Sequence, residues 1–264
     1  MPLAEALVGL QDLTQQLRRD CPWDREQTAR TIVPHTVEEA YEVADAAQAG
    51  DPAKLLDELG DLLFQVYFLA LLLSEQGYGG LEEVARNVHA KLVRRHPHVF
   101  GETELDTAGE VRLSWEEIKR DLEDRTGIFH DVPASLPALL QARKLQRRAA
   151  SAGFDWPDLE GPLCKAREEL AELEAEVARA GVPSPETEPD AAVAHEVGDL
   201  LFTVVNLARR LNVDPELALR GTNARFVRRV EGAEELAMTR GERWRELPLA
   251  EQDRYYGLAK EETG

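Results

Sequence analysis

The apolar positions of this chain recur with a helical period almost from end to end. Leu3, Leu7, Leu10, Leu13 and Leu17 follow one another at three- and four-residue spacing, which predicts a helix over residues 3–19. A turn at Cys21-Pro22-Trp23-Asp24 ends it. A loop through Pro34 leads to Thr36, read as an N-cap with Glu39 completing a capping box, and a helix follows from Val37 to Gln48. It stops at Gly50-Asp51-Pro52. Lys54 to Ser74 comes next, apolar nearly all round from Leu62 to Leu73, a pattern expected of a buried helix. Gly77, Gly79 and Gly80 close it. Leu81 to Arg95 is a further helix, stopped by Pro97, and a polar loop from Gly101 to Gly109 precedes a helix from Val111 to Leu122. Period-two alternation is absent, so the expected fold class is all-α.

Residues 124–137, with Gly127, Pro133 and Pro137, break the pattern and read as a linker. Beyond it the same parts return in the same order. A helix from Leu139 to Ala150 ends at Gly153-Phe154-Asp155-Trp156, which answers Cys21-Pro22-Trp23-Asp24. Glu168-Glu169-Leu170-Ala171-Glu172 answers Glu38-Glu39-Ala40-Tyr41-Glu42, and after a longer loop (Gly181 to Asp190) Glu196-Val197-Gly198-Asp199 answers Glu58-Leu59-Gly60-Asp61. Arg225 to Arg229 then matches Lys91 to Arg95, and Tyr256 to Lys260 matches Trp115 to Lys119. Five landmarks in one order predict two tandem helical domains, residues 1–123 and 138–264, from an internal duplication.

Two carboxylates three apart share a helix face, and here they interrupt a buried surface. An unpaired buried charge costs several kcal/mol, so something must neutralise them. Glu39 and Glu42 on one helix, facing Glu58 and Asp61 on the next, make a hard-oxygen set suited to Mg²⁺ or Mn²⁺. Glu169, Glu172, Glu196 and Asp199 repeat it. No His or Cys is positioned among them, which argues against zinc. The formal charge of −19 gives no overall field for nucleic acid or an anionic membrane, so an anionic substrate needs local basic groups and metal ions. Cys21 and Cys164 form no metal spacing and suit a reducing cytosol. The N-terminus shows no signal peptide, and Leu62 to Leu73 is about half of a bilayer-spanning length. A cytoplasmic protein is expected.

Glu-Glu-x-x-Glu followed by Glu-x-x-Asp resembles the signature of the all-α NTP pyrophosphatase superfamily. Cys21-Pro22-Trp23-Asp24-Arg25-Glu26-Gln27-Thr28, Arg94 to Phe100, Trp115 with Lys119, and Gly153-Phe154-Asp155-Trp156-Pro157 are similar to the MazG family within it. The resemblance implies two MazG domains, each a helical bundle that dimerises, hydrolysing (d)NTPs to monophosphate and pyrophosphate with Mg²⁺. It makes Glu39, Glu42, Glu58 and Asp61, and Glu169, Glu172, Glu196 and Asp199, the metal ligands. Glu38 and Glu168 would orient the attacking water or hold a second ion. Lys91, Arg94 and Arg95, with Arg225, Arg228 and Arg229, would bind phosphate. Lys119 and Lys260 would clamp it, with Trp115 and Tyr256 against base or sugar.

Asn206 lies seven residues beyond Asp199, where the first repeat has Phe68, and Asn223 corresponds to His89. Two added amide donors point to the second repeat as the main catalytic site. Tyr256 in place of Trp, and Ala192 in place of Lys54, cut the other way. The competing reading is a non-catalytic acidic helical dimer that binds nucleotides or a protein partner. A narrower relative, a dUTPase or phosphoribosyl-ATP hydrolase, fits the tandem arrangement and the Cys-Pro-Trp-Asp turn less well.

Overall fold

A computed structural model describes residues 2–101, 107, 109, 111, 127–130, 132–181 and 188–263. Every regular element among them is helical. The chain divides into two compact units, Met1–Asp124 and Arg125–Gly264. Unit 1 contains α1 (Leu3–Asp20), α2 (Pro22–Glu26), α3 (Ala29–Ala49), α4 (Pro52–Glu75), α5 (Leu81–Arg95) and α6 (Pro97–Phe100). Unit 2 contains α7 (Ala138–Ser151), α8 (Glu160–Ala180), α9 (Ala191–Arg210), α10 (Pro215–Thr239), a 3₁₀ turn (Trp244–Glu246) and α11 (Leu249–Thr263).

Each unit is built on one antiparallel-type pair, α3 along α4 and α8 along α9, with α10 packed along α11 in unit 2. The two helices that carry Glu-x-x-Asp start from the same signal. The Asp51 carboxylate accepts from the amides of Ala53 and Lys54 at 3.0 Å, and Asp190 accepts from Ala192 at 2.9 Å and Val193 at 3.3 Å. These bonds satisfy amides that a helix start otherwise leaves unpaired.

The structure corrects the sequence reading at three places in unit 1. Cys21 to Asp24 is not only a turn, because Pro22 opens the one-turn helix α2. The following helix begins at Ala29, not Val37. Its cap is Thr28, whose hydroxyl accepts from the Thr31 amide while the Thr31 hydroxyl accepts from the Thr28 amide. Thr36 instead bonds back to the Ile32 carbonyl at 3.3 Å. Pro34 therefore sits inside α3, where a missing N–H and a ring clash cost about 3 kcal/mol. Burial of Ile32 against Phe68 and Leu72, the core of this unit, offsets that cost.

The third correction concerns α4. Phe68 and Leu72 are buried, but Leu56, Leu59, Leu63, Val66 and Leu73 are exposed. In α9, Val197, Leu201 and Val204 are exposed likewise, as is Leu211 just past its end. Their steps of three, four and seven residues trace one seam on each helix. α9 is also long and apolar enough to cross a bilayer by length and composition, although it carries Glu196 and Asp199.

Matching braces hold the turn before each acidic helix. In unit 1 the Arg18 guanidinium grips Glu75 at 2.8 and 2.9 Å and donates to the carbonyls of Asp24, Arg25 and Gln27. In unit 2 the charges are exchanged: Asp155 in the turn accepts from Arg209 at 2.6 Å and Arg210 at 3.3 Å, both at the end of α9. The Trp156 ring lies so close to Gly161 that a Cβ there would meet Cδ1 at 2.0 Å. Gly161→Ala is expected to expel the indole and destabilise unit 2 by about 1–3 kcal/mol in thermal melts. An unchanged melting temperature would show that the ring is not held there.

Candidate functional site

α3 and α4 present their carboxylates to each other. Ligand oxygens of Glu39, Glu58 and Asp61 all lie within 4.8 Å of one another, with Glu58 buried, Glu39 half-buried and Asp61 exposed. Glu42 stands one turn from Glu39 and hydrogen-bonds Glu58. α8 and α9 repeat the arrangement: Glu169, buried, and Glu196 and Asp199, half-buried, meet within the same 4.8 Å. Glu172 lies close enough to feel the Glu196 charge. An open hollow of about 700 Å³, lined by Lys54, Asp57, Glu58 and Asp61 among others, leaves the first cluster accessible.

Each cluster already touches basic side chains of its own chain, of which the sequence reading singled out only Lys54. Lys54 Nζ stands 3.8 Å from Glu58, and His35 Nδ1 stands 3.2 Å from Glu38. Lys165 Nζ is 2.7 Å from Glu168 and 2.8 Å from Glu169, and His195 Nε2 is 3.3 Å from Asp199. All five pairs are spaced i,i+3 or i,i+4, so the signal was local and readable.

The remaining candidates are less concentrated. Lys91 and Arg94 are exposed and Arg95 half-buried on α5, while Asn223, Arg225 and Arg228 are exposed and Arg229 half-buried on α10. Arg225 donates to the Thr222 hydroxyl at 2.8 Å. Lys260 is exposed on α11, and Tyr256 packs on the Ala233–Ala237–Tyr255–Ala259 core with its ring 6.1 Å from Phe226. Trp115 and Lys119 lie outside the described residues. Asn206 is placed differently from expectation. It is buried, its Oδ1 accepts from Arg209 at 2.9 and 2.7 Å, and it thereby belongs to the Asp155 brace. Seven residues carry it about 10 Å along α9 from Asp199.

These paired acidic helices can be set against known proteins. The MazG nucleotide pyrophosphohydrolase domain profile matches residues 27–100, from the α3 cap through α6 and around the first cluster. The nucleoside triphosphate pyrophosphohydrolase of Escherichia coli strain K12 is 42% identical over 235 residues, 87% of each chain. The nucleoside triphosphate pyrophosphohydrolase/pyrophosphatase MazG of Thermotoga maritima is 39% identical over 260 residues, 98% of this chain and 96% of that one. This chain belongs to the MazG family. It is a hydrolase of the nucleoside triphosphate pyrophosphohydrolase type. The solved mazG-related protein from Thermotoga maritima is 28% identical, covering 42% of this chain and 97% of that one with a TM-score of 0.38.

Crowding acidic groups together leaves an electrostatic signature. Burial first, and the charges of Asp61 and Glu42 next, push Glu39 above the ordinary glutamate value of 4.5. Glu58 rises through burial and its bond to Glu42, and Glu172 through burial and the Glu169 charge, against the pull of Lys165. Raised in the folded state, these carboxyls favour folding while protonated. Their contribution is complete below 4.5 and is lost as pH climbs through the raised values. Asp155 is pushed up by burial but pulled net below 3.8 by Arg209, so its contribution is lost only on acidification beneath that value. The metal-free protein is therefore expected to melt at a lower temperature at about pH 7.5 than at about pH 5. Scanning calorimetry checks this, and a midpoint that rises over the interval would contradict it.

Proposed function

We propose that the chain is two tandem MazG-type domains, residues 1–123 and 138–264 joined by 124–137, each hydrolysing (d)NTPs to (d)NMP and pyrophosphate. The observation that carries the reading is the convergence of three carboxylates from two helices, made twice on corresponding residues. The donor set fits a hard divalent cation: oxygen ligands only, close together and part-buried. Mg²⁺, with Mn²⁺ as a substitute, would be held by Glu39, Glu58 and Asp61 with Glu42 beside them, and by Glu169, Glu196 and Asp199 with Glu172 beside them. Such an ion supplies Lewis-acid charge to phosphate oxygens and lowers the pKa of water.

The chain's own groups do the rest. Glu38 or Glu168, beside the ligands, orients the attacking water and takes its proton. The water oxygen bonds to the α-phosphorus, the α–β bridging bond breaks, and pyrophosphate leaves. Lys91, Arg94 and Arg95, or Arg225, Arg228, Arg229 and Lys260, offset charge on the phosphates. Asn206 is engaged in the Asp155 brace and Asn223 still distinguishes the second repeat, while both repeats carry the carboxylate cluster, so both clusters are assigned to the reaction. The exposed seams of α4 and α9 fit a second copy of this chain, giving a homodimer. Removal of surplus or non-canonical nucleotides in the cytoplasm is the role that agrees with such an activity.

³¹P NMR of the products from each NTP and dNTP, with Mg²⁺ and with EDTA, tests the reaction. Monophosphate and pyrophosphate, abolished by EDTA, are expected. Diphosphate and orthophosphate would place attack at the terminal phosphorus and sink the assignment. Nucleotide binding without turnover would point to a binding module.

A further inference from the structure

The two acidic clusters carry the same ligands but not the same resident cations. Counted from Glu-Glu-x-x-Glu, Lys165 stands where unit 1 has His35. Counted from Glu-x-x-Asp, Ala192 stands where unit 1 has Lys54, and His195 where it has Asp57. The amine has in effect moved from the Glu-x-x-Asp helix to its partner. Its contacts change with the move. Lys54 is over half exposed and reaches one carboxylate at 3.8 Å. Lys165 is 36% exposed and bonds two carboxylates, one of them the buried Glu169, at 2.7 and 2.8 Å. His195 adds a second in-chain contact, on Asp199.

We propose that Lys165 is a built-in competitor for the divalent ion at the second cluster, so that unit 2 loads its ion more weakly than unit 1. The proposal rests on reading the clusters as divalent-ion sites. An ammonium at hydrogen-bonding distance from Glu169 occupies an oxygen lone pair that an ion there needs. The ion enters only as the amine leaves Glu169, and Glu168 retains the amine when it does. A unit charge that stays within about 5 Å of a divalent ion also repels it, and at solvent-like permittivity the two effects weaken binding by at least about tenfold. Lys54, longer by an ångström and held by one partner, competes less. The chain then responds to divalent-ion concentration in two steps, unit 1 first.

Mn²⁺ titration of the full-length chain, with free ion read by electron paramagnetic resonance, tests this without reference to turnover. Two affinity classes are expected. Glu58→Gln with Asp61→Asn removes the tight class, and Glu196→Gln with Asp199→Asn removes the weak one. Lys165→Met tightens the weak class by at least about tenfold, Lys165→Arg leaves it in place, and Lys54→Met shifts the tight class by less. A weak class belonging to unit 1, or an affinity unmoved by Lys165→Met, would overturn the competitor. Absence of Mn²⁺ binding to the native chain would overturn the metal reading and the competitor together, and is recognised because the paired carboxylate variants then change nothing.

Discussion

Glu58→Gln and Glu196→Gln each lower pyrophosphohydrolysis at their own cluster by at least about a hundredfold, and Glu58→Gln raises the melting temperature of the metal-free protein. The first effect follows from ligand loss. Changes to groups that merely orient a metal ligand cost 10–100-fold, so removing the ligand itself costs no less than about the top of that range. The second effect has the opposite sign because the cluster is a site of repulsion. Glu58 is 6% exposed, bonded to Glu42 and near Asp61 and Glu39, with Lys54 at 3.8 Å offsetting part of that charge. A neutral amide of the same shape keeps the hydrogen bond to Glu42 and removes one buried charge. Activity measured as pyrophosphate release, beside calorimetry in EDTA, separates the two. A variant that loses activity and stability together would mean that Glu58 is a structural residue, and full activity in either single variant would show that the other cluster carries the reaction.

Leu63→Glu in α4, and Leu201→Glu in α9, are expected to shift the chain from dimer to monomer in sedimentation without unfolding it. Both residues are exposed in the isolated chain, at 38% and 53%, so neither holds up its own unit. Burying the exposed part of each leucine contributes a share of the about 1.5–3 kcal/mol of full burial, a charge placed there must also be desolvated, and a two-fold interface contains each position twice. Replacing it with a charge therefore weakens association by at least about a hundredfold. Leu3→Glu, on an exposed residue away from the seam, serves as the control and leaves the dimer intact. A native chain that sediments as a monomer would remove the second copy as the occupant of these seams.

The sequence by itself determined whatever depends on the turn of one helix. Helical period placed α1, α4, α5, α7 and α10, and Glu39 with Glu42, or Glu58 with Asp61, share a face in any helix because three residues make nearly one turn. The same locality put Lys165 on the face of Glu168 and Glu169. Tertiary structure decided what depends on contacts between residues far apart in the chain. Pro34 lies within α3 because Ile32 meets Phe68 and Leu72, more than thirty residues on, and that burial outweighs the local preference for a break. Glu39, Glu58 and Asp61 converge while Glu42 stands beside them because the packing of α3 on α4 sets which oxygens come within 4.8 Å. Asn206 braces Arg209 and Asp155 because α9 ends against the turn after α7, and no periodicity in α9 records where that turn lies. The spacing along a helix is written residue by residue, whereas the distance between two helices is settled only when their side chains interlock.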